Sequence, residues 1–255
     1  MKRIRHGSSI DLKEAIGKLA DDANYYGNYG KQFLSNSDIG TLINNPAGYL
    51  EPREDSINLM FGRAFHELIM FGNTQHDQYQ YVEASTRTTK IYKEAAAEAG
   101  QILFLKKEWD DLNSLVESAL KNKEVADILN DKSNSYEVPN LGTMGDDNVI
   151  WKGKADIVSS DYIIDIKTSS SIGGFKYSSK AYNYDSQAYI YSRLFQKPMK
   201  FLVIEKGTGC VGLFEVSQEA YENGFDKVQK AQDNYLKYYV NNSEKLENFC
   251  IYGEI

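Results

Sequence analysis

Cysteine is nearly absent: Cys210 and Cys250 are the only two in 255 residues, and they have no metal-type spacing. Two thiols cannot by themselves fill a four-cysteine zinc or iron–sulfur site, and their scarcity fits a reducing cytoplasm. Long apolar runs are also missing. No stretch is long enough to span a bilayer, and residues 1–7 lack the apolar segment of a signal peptide. Positive charge is in deficit, with a formal net charge of −7. That excludes a generally sticky nucleic-acid binder and leaves room only for a local basic track. There is no internal repeat, low-complexity segment or obvious linker.

The remaining composition, 42% apolar and 25% charged, is that of a soluble globular protein. The length suffices for one domain with insertions, or one and a half domains. Tyrosine is abundant, nineteen in all, but it suits half-buried strands and stacking surfaces alike and does not discriminate.

The first half reads as helical. Leu12, Ala15, Ile16 and Leu19 recur at helical spacing. Residues 35–38 offer N-caps for a short helix through Ile39, Leu42 and Ile43, stopped by Asn44-Asn45-Pro46. The clearest helix spans residues 57–71, where Ile57, Met60, Phe61, Ala64, Phe65, Leu68 and Ile69 form one stripe, with Ser56 as N-cap and Gly72 beyond its end. Gly62 and His66 lie one turn apart at the margin of that stripe. A mid-helix glycine costs roughly 1 kcal/mol against alanine, so it signals close approach by something else. A packing glycine beside a hydrogen-bonded histidine and an imidazole aimed at a metal both fit. Residues 73–100 are polar. Residues 103–129 read as a second long helix through Trp109, Leu112, Leu115, Leu120, Val125 and Ile128, and 130–134 as a break.

From Tyr136 the texture changes to strands: a short one at residues 136–138, then 149–158, 162–167, 199–205 and 210–216. Residues 169–174 form a loop leading to Phe175, Lys176 and Lys180. A helix over 185–195 puts Gln187 and Tyr191 on one face at i, i+4, and Ser217 caps a last helix to about Val240, before a loosely held tail at 241–255. The order helix, three strands, helix, strand, strand, helix predicts an α/β layer structure.

The stretch from Asp156 to Lys167 organises this plan. Period 2 puts Ile164, Ile166 and Thr168 on one face of the strand and Ile163, Asp165 and Lys167 on the other. A carboxylate and an ammonium leave the same side. With Asp156 at the end of the preceding strand, a second carboxylate reaches the same place, which suits a divalent cation and a phosphate oxygen. A surface hairpin with an ion pair is the bland alternative. The strand is isoleucine-rich, however, and charges are rarely buried without partners.

Gly62-x-x-x-His66, Lys154-x-Asp156, Asp165-Ile166-Lys167 and Gln187-x-x-x-Tyr191, in that order over roughly residues 35–240, resemble the PD-(D/E)XK nuclease superfamily, in particular its RecB-like and RecE-like exonuclease branch. Ser37 and Pro46-Ala47-x-Tyr49 look like the opening of the phage-encoded members. Ala155 stands where the name motif has proline, and the cysteines of the iron–sulfur subgroup are absent.

The resemblance implies a single nuclease domain with a restriction-endonuclease-like core, a mixed central sheet flanked by helices, and an N-terminal helical extension. The mainly helical part would be 1–134, the core 135–240. It further implies that Asp156, Asp165, the Ile166 carbonyl and His66 hold Mg²⁺ or Mn²⁺, without an iron–sulfur cluster. Lys167 would orient or help deprotonate water and stabilise phosphate charge, Gln187 and Tyr191 would contact DNA or brace the site, and Glu137 would support the metal. Lys152, Lys154, Lys176 and Lys180 would carry the phosphate backbone. DNA would be the partner, in phage or prophage recombination or DNA processing in the cytoplasm, alongside a single-strand annealing or recombination protein or a second copy of the chain. A strand- or structure-specific endonuclease and a non-catalytic DNA-binding module are the rivals.

Overall fold

Five strands rich in β-branched residues build the centre of the molecule. In the computed structural model, which describes residues 10–52, 55–72, 79–145 and 149–251, two short strands precede them: β1 (Tyr81–Val82) and β2 (Phe104–Leu105), paired parallel. The central sheet has the order β3 (Ser135–Thr143), β4 (Ile150–Val158), β5 (Ile163–Ser169), β6 (Met199–Glu205), β7 (Val211–Glu215). Only β5 and β6 are parallel; the other neighbours are antiparallel, so the sheet is mixed. β3 is three times as long as the short strand expected around Tyr136. Pro139 hid its continuation, and it is tolerated because β3 is an edge strand with no partner strand on its outer side among the described residues.

Helices cover both faces. In chain order they are α1 (Leu12–Leu19), α2 (Asp22–Tyr25), α3 (Asn36–Asn44), α4 (Ile57–Phe71), α5 (Lys90–Ala99), α6 (Lys106–Leu120), α7 (Lys123–Asn130), α8 (Phe175–Ala181), α9 (Tyr184–Phe195) and α10 (Gln218–Tyr235). Ile157, Ile164, Ile166, Leu202 and Ile204 pack with α4, α6 and α7. Ala155, Ile163, Met199, Phe201 and Val203 pack with α3, α9 and α10. The alternation read from β5 therefore holds. Among the described residues no helix is long and apolar enough to cross a membrane.

The expected boundaries of α4 and of β6 are those observed, and Ser56 accepts the Leu59 N–H as N-cap. The single helix expected over 103–129 is instead β2, α6 and α7. Asn122 divides the helices, because its side chain accepts the N–H groups of Glu124 and Val125 and starts a new one. Glu108 fixes the start of α6 by accepting the Leu105 N–H at 2.9 Å while Arg87 grips the same carboxylate from outside. Helices α5 and α8 were not anticipated. Thr89 caps α5, whose alanine-rich interior is strongly helix-forming. In the expected tail, Phe249 lies edge-on to Tyr238 at 6.2 Å.

Candidate functional site

β4 and β5 part company early. Their ladder holds Val158 opposite Ile163 and Ile157 opposite Ile164, and goes no further. In the fork, the Asp156 carboxylate accepts the Ile166 N–H at 2.7 Å, so a side chain takes the place of a ladder carbonyl. The alternation of β4 slips at the same residue. Trp151 and Ala155 pack on the α9 side, and so would a Cβ at Gly153, which would lie 2.8 Å from the Tyr191 ring; Ile157 packs on the α4 side. Beside the slip, on β3, Glu137 has φ 51°, a left-handed conformation unusual for a non-glycine residue. Such strain costs on the order of 1–3 kcal/mol and concentrates at functional sites.

These distortions bring His66, Glu137 and Asp156 to one place, while Asp165, expected among the metal ligands, lies outside that cluster and pairs with Lys167 beside it. From α4, His66 Nε2 contacts Asp156, and Nδ1 lies 3.4 Å from Glu137. One donor atom from each of His66, Glu137 and Asp156 lies within 4.8 Å of the others, the geometry of a candidate cation site. From the other side, Asp165 is 2% exposed. Its Oδ1 accepts from Gln187 Nε2 at 2.5 Å, and its Oδ2 lies 2.6 Å from Lys167 Nζ. That last contact lacks hydrogen-bond alignment, and Asp165 Oδ2 is left without a hydrogen bond. Lys167 also lies over the Tyr184 ring, 4.8 Å from its centroid.

The electrostatics follow from burial. Desolvation and the neighbouring Asp156 charge push the Asp165 carboxyl up to about 6. Desolvation opposes the charge of Asp156 too, but His66, Lys167 and the Ile166 N–H outweigh it and hold this carboxyl below its ordinary value. Burial opposes a proton on His66 and on Lys167; the carboxylates prevail, and both values rise. Two adjacent carboxyl groups are thus driven apart in acidity.

The other residues singled out in the sequence fall as follows. Gln187 and Tyr191 are buried braces: the Tyr191 hydroxyl donates to the Lys154 carbonyl at 3.0 Å and lies 3.3 Å from its N–H. Lys152 and Lys154, expected to carry phosphates, point into the protein instead. Lys152 donates to the Tyr25 carbonyl at 2.5 Å over the Tyr25 ring, and burial lowers it to about 8. Lys154 pairs with Asp22 and, at 2.8 Å, with Glu137. Lys176 and Lys180 are exposed on α8, the first over the Tyr177 ring and the second 3.6 Å from Glu219. Among the described residues, and apart from the adjoining backbone of its own helix, no atom lies within 4 Å of where a Gly62 Cβ would stand, so the glycine does not admit a described neighbour. Sequence reasoning missed Tyr184. Its spacing from Gln187 and Tyr191, i, i+3, i+7, was the available signal.

The family profile described as a PDDEXK-like domain of unknown function (DUF3799) matches residues 36–249. The chain belongs to this PDDEXK-like family. A crystal structure named "Putative exonuclease", from Eubacterium rectale, superposes on the PDDEXK-like domain with a TM-score of 0.62 and 15% identity, covering 98% of this chain and 97% of that one. At that identity the likeness establishes the fold. A phage related exonuclease from Haemophilus somnus 129PT matches at 17% identity over 71% of this chain and 96% of its own, with a TM-score of 0.31 that carries no argument. Among curated protein sequences none matches.

Proposed function

We propose that this PDDEXK-like domain is a divalent-metal-dependent deoxyribonuclease. The observation that carries the reading is the β4–β5 fork, where Asp156, Asp165, His66 and Lys167 meet. The donor set fits a hard cation: carboxylate oxygens with one imidazole, which leans from Mg²⁺ toward Mn²⁺. Asp165 Oδ2 fits it as well, since this buried oxygen has the Lys167 ammonium 2.6 Å away but no hydrogen bond of its own. Asp156, His66 and Glu137, whose donor atoms lie together, would hold the ion, with Asp165 and the Ile166 carbonyl as the further ligands that the resemblance implies. When bound, the ion supplies charge compensation at the phosphate and a more acidic water.

The chain's own groups do the rest. Gln187 pins one oxygen of Asp165, which fixes the direction of the other. Lys167 is held protonated between Asp165 and Tyr184. This favours a role as a hydrogen-bond donor to phosphate oxygens or to the attacking water over a role as a base. Tyr191 clamps the backbone at Lys154, two residues before Asp156, and so maintains the fork.

Exonuclease action is the finer reading, supported by the name of the Eubacterium rectale structure and by the resemblance to RecE-like enzymes. The resemblance extends it to phage or prophage recombination, with an annealing protein as partner. The test is cleavage of end-labelled linear duplex and single strands beside covalently closed circles, in Mg²⁺, Mn²⁺ or chelator. Degradation of linear DNA alone, abolished by chelator, is expected. Cutting of circles would make it an endonuclease, and binding without any cutting would make it a non-catalytic module.

A further inference from the structure

Lys206 stands just past the end of β6. Its backbone N–H donates to the Ser169 carbonyl at 2.8 Å, at the last residue of β5, so it lies beyond Lys167 on the neighbouring parallel strand. Its ammonium lies over the Phe61 ring of α4, 4.4 Å from the centroid. Phe61 precedes Gly62. On a helix, Gly62 lies about 100° round from Phe61, and His66 about 40° further and one turn along. Phe61 with Lys206 therefore stands on one flank of Gly62 and His66 on the other, and the space over Gly62 is open.

Lys206 is half-buried, and desolvation alone lowers its pKa. Lys154, Lys167, Lys200 and Lys227 each face a carboxylate within 3.0 Å. Lys206 faces none among the described residues. A partly desolvated cation without a counter-charge is costly, and an anion supplied from outside relieves that cost.

We propose that Lys206 is a substrate-binding residue that takes the backbone phosphate next to the one at the candidate metal site of His66, Glu137 and Asp156, with the DNA strand crossing α4 over Gly62. This rests on the nuclease reading above and adds a direction to it. The strand runs from the β4–β5 fork toward the β6–β7 turn. The open surface over Gly62 lets the sugar–phosphate backbone come close to the helix, and the Phe61 ring holds the Lys206 ammonium beside it.

The experiment compares wild type, Lys206→Met and Lys206→Arg. Methionine keeps an unbranched side chain beside Phe61 and removes the charge, and melting curves on the same samples separate folding from binding. Affinity for a fluorescent oligonucleotide is measured in chelator across a salt series, and steady-state cleavage in Mn²⁺. For Lys206→Met, affinity should fall about tenfold, as for a lost hydrogen bond between charged groups. The slope of log K against log salt should flatten by about 0.7–0.9, one phosphate contact. KM should rise more than kcat falls, and Lys206→Arg should restore most of both. Wild-type slope and KM in Lys206→Met would overturn the assignment of Lys206 and leave the nuclease reading standing. A wild-type protein that neither binds nor cuts DNA would overturn both.

Discussion

The two faces of the central sheet are built differently. The face under α4, α6 and α7 is almost wholly apolar, with Ile157, Ile164, Ile166, Leu202 and Ile204 against Phe65, Trp109 and Leu112. His66 enters at its margin. The face under α3, α9 and α10 carries buried polar side chains as well: Asp185, Ser186 and Gln187 on α9, and Gln232 on α10, which accepts from the buried Trp151 indole at 3.0 Å. The first face holds its helix by burial, which is strong but non-directional. The second fixes individual atoms by hydrogen bonds, and the Asp165 oxygen is among them. The site lies where the strands separate, and it takes its imidazole from the first face and its braced carboxylate and lysine from the second. A group that must be aimed is held by directional contacts; a group that must reach is held by packing.

The largest effect should come from the braced face. Lys167→Ala is expected to lower kcat by about a thousandfold, several kcal/mol of transition-state stabilisation at about 1.4 kcal/mol per decade, while the fold and DNA binding persist. Single-turnover cleavage with melting curves on the same samples measures it. Cutting within about tenfold of wild type would reduce Lys167 to a structural ion pair.

Next in size is Gln187→Ala. It frees Asp165 Oδ1 from its one hydrogen bond and should cost about ten- to a hundredfold in metal affinity or rate, as loss of an outer brace of a ligand does. Titration of activity against Mn²⁺ reads it. An unchanged Mn²⁺ curve would show that the directional contacts of this face are only structural.

Metal binding should couple both faces to pH. The folded value of Asp165, about 6, lies above its ordinary value of 3.8, so between the two the folded protein keeps a proton that the unfolded chain has lost. This group therefore favours the metal-free fold fully below the lower value and ceases to do so as pH rises past about 6. His66, also raised, acts in the same sense higher up. An ion must displace both protons, so its stabilisation should be small at acid pH. At neutral pH and a hundredfold excess over Kd it should grow to about 2.7 kcal/mol. Melting temperatures with and without Mn²⁺ across pH test this, and His66→Ala should shrink the gain and flatten its pH dependence.

The smallest effect separates stability from function on the apolar face. Gly62→Ala meets open space, so it should stabilise the free protein by up to about 1 kcal/mol through helix propensity alone. With a strand crossing α4 at that point, the same methyl should weaken DNA binding several-fold. A variant that is more stable and equally active would remove Gly62 from the substrate path.

Local pattern fixed part of this outcome in advance. The stripe of α4, its caps, the alternation of β5 and the Asp165–Lys167 pairing are set by neighbours a few residues apart, and they read directly from the chain. The division of residues 103–129 was also locally encoded, in Asn122, but an apolar pattern that continues across a cap conceals it.

What the sequence by itself determined is which residues could do chemistry and, for α4, α9 and β5, on which side of the element they sit, because helix and strand periods are properties of the backbone. Tertiary structure alone decided which of them meet. Lys152 and Lys154 looked free until Tyr25 and Asp22, far back in the chain, covered them. Glu137 joined His66 and Asp156 only because β3 twists at φ 51° beside a strand whose alternation slips. Burial and counter-charge depend on distant segments, and they decide whether a lysine is a strut or a hand held out to phosphate.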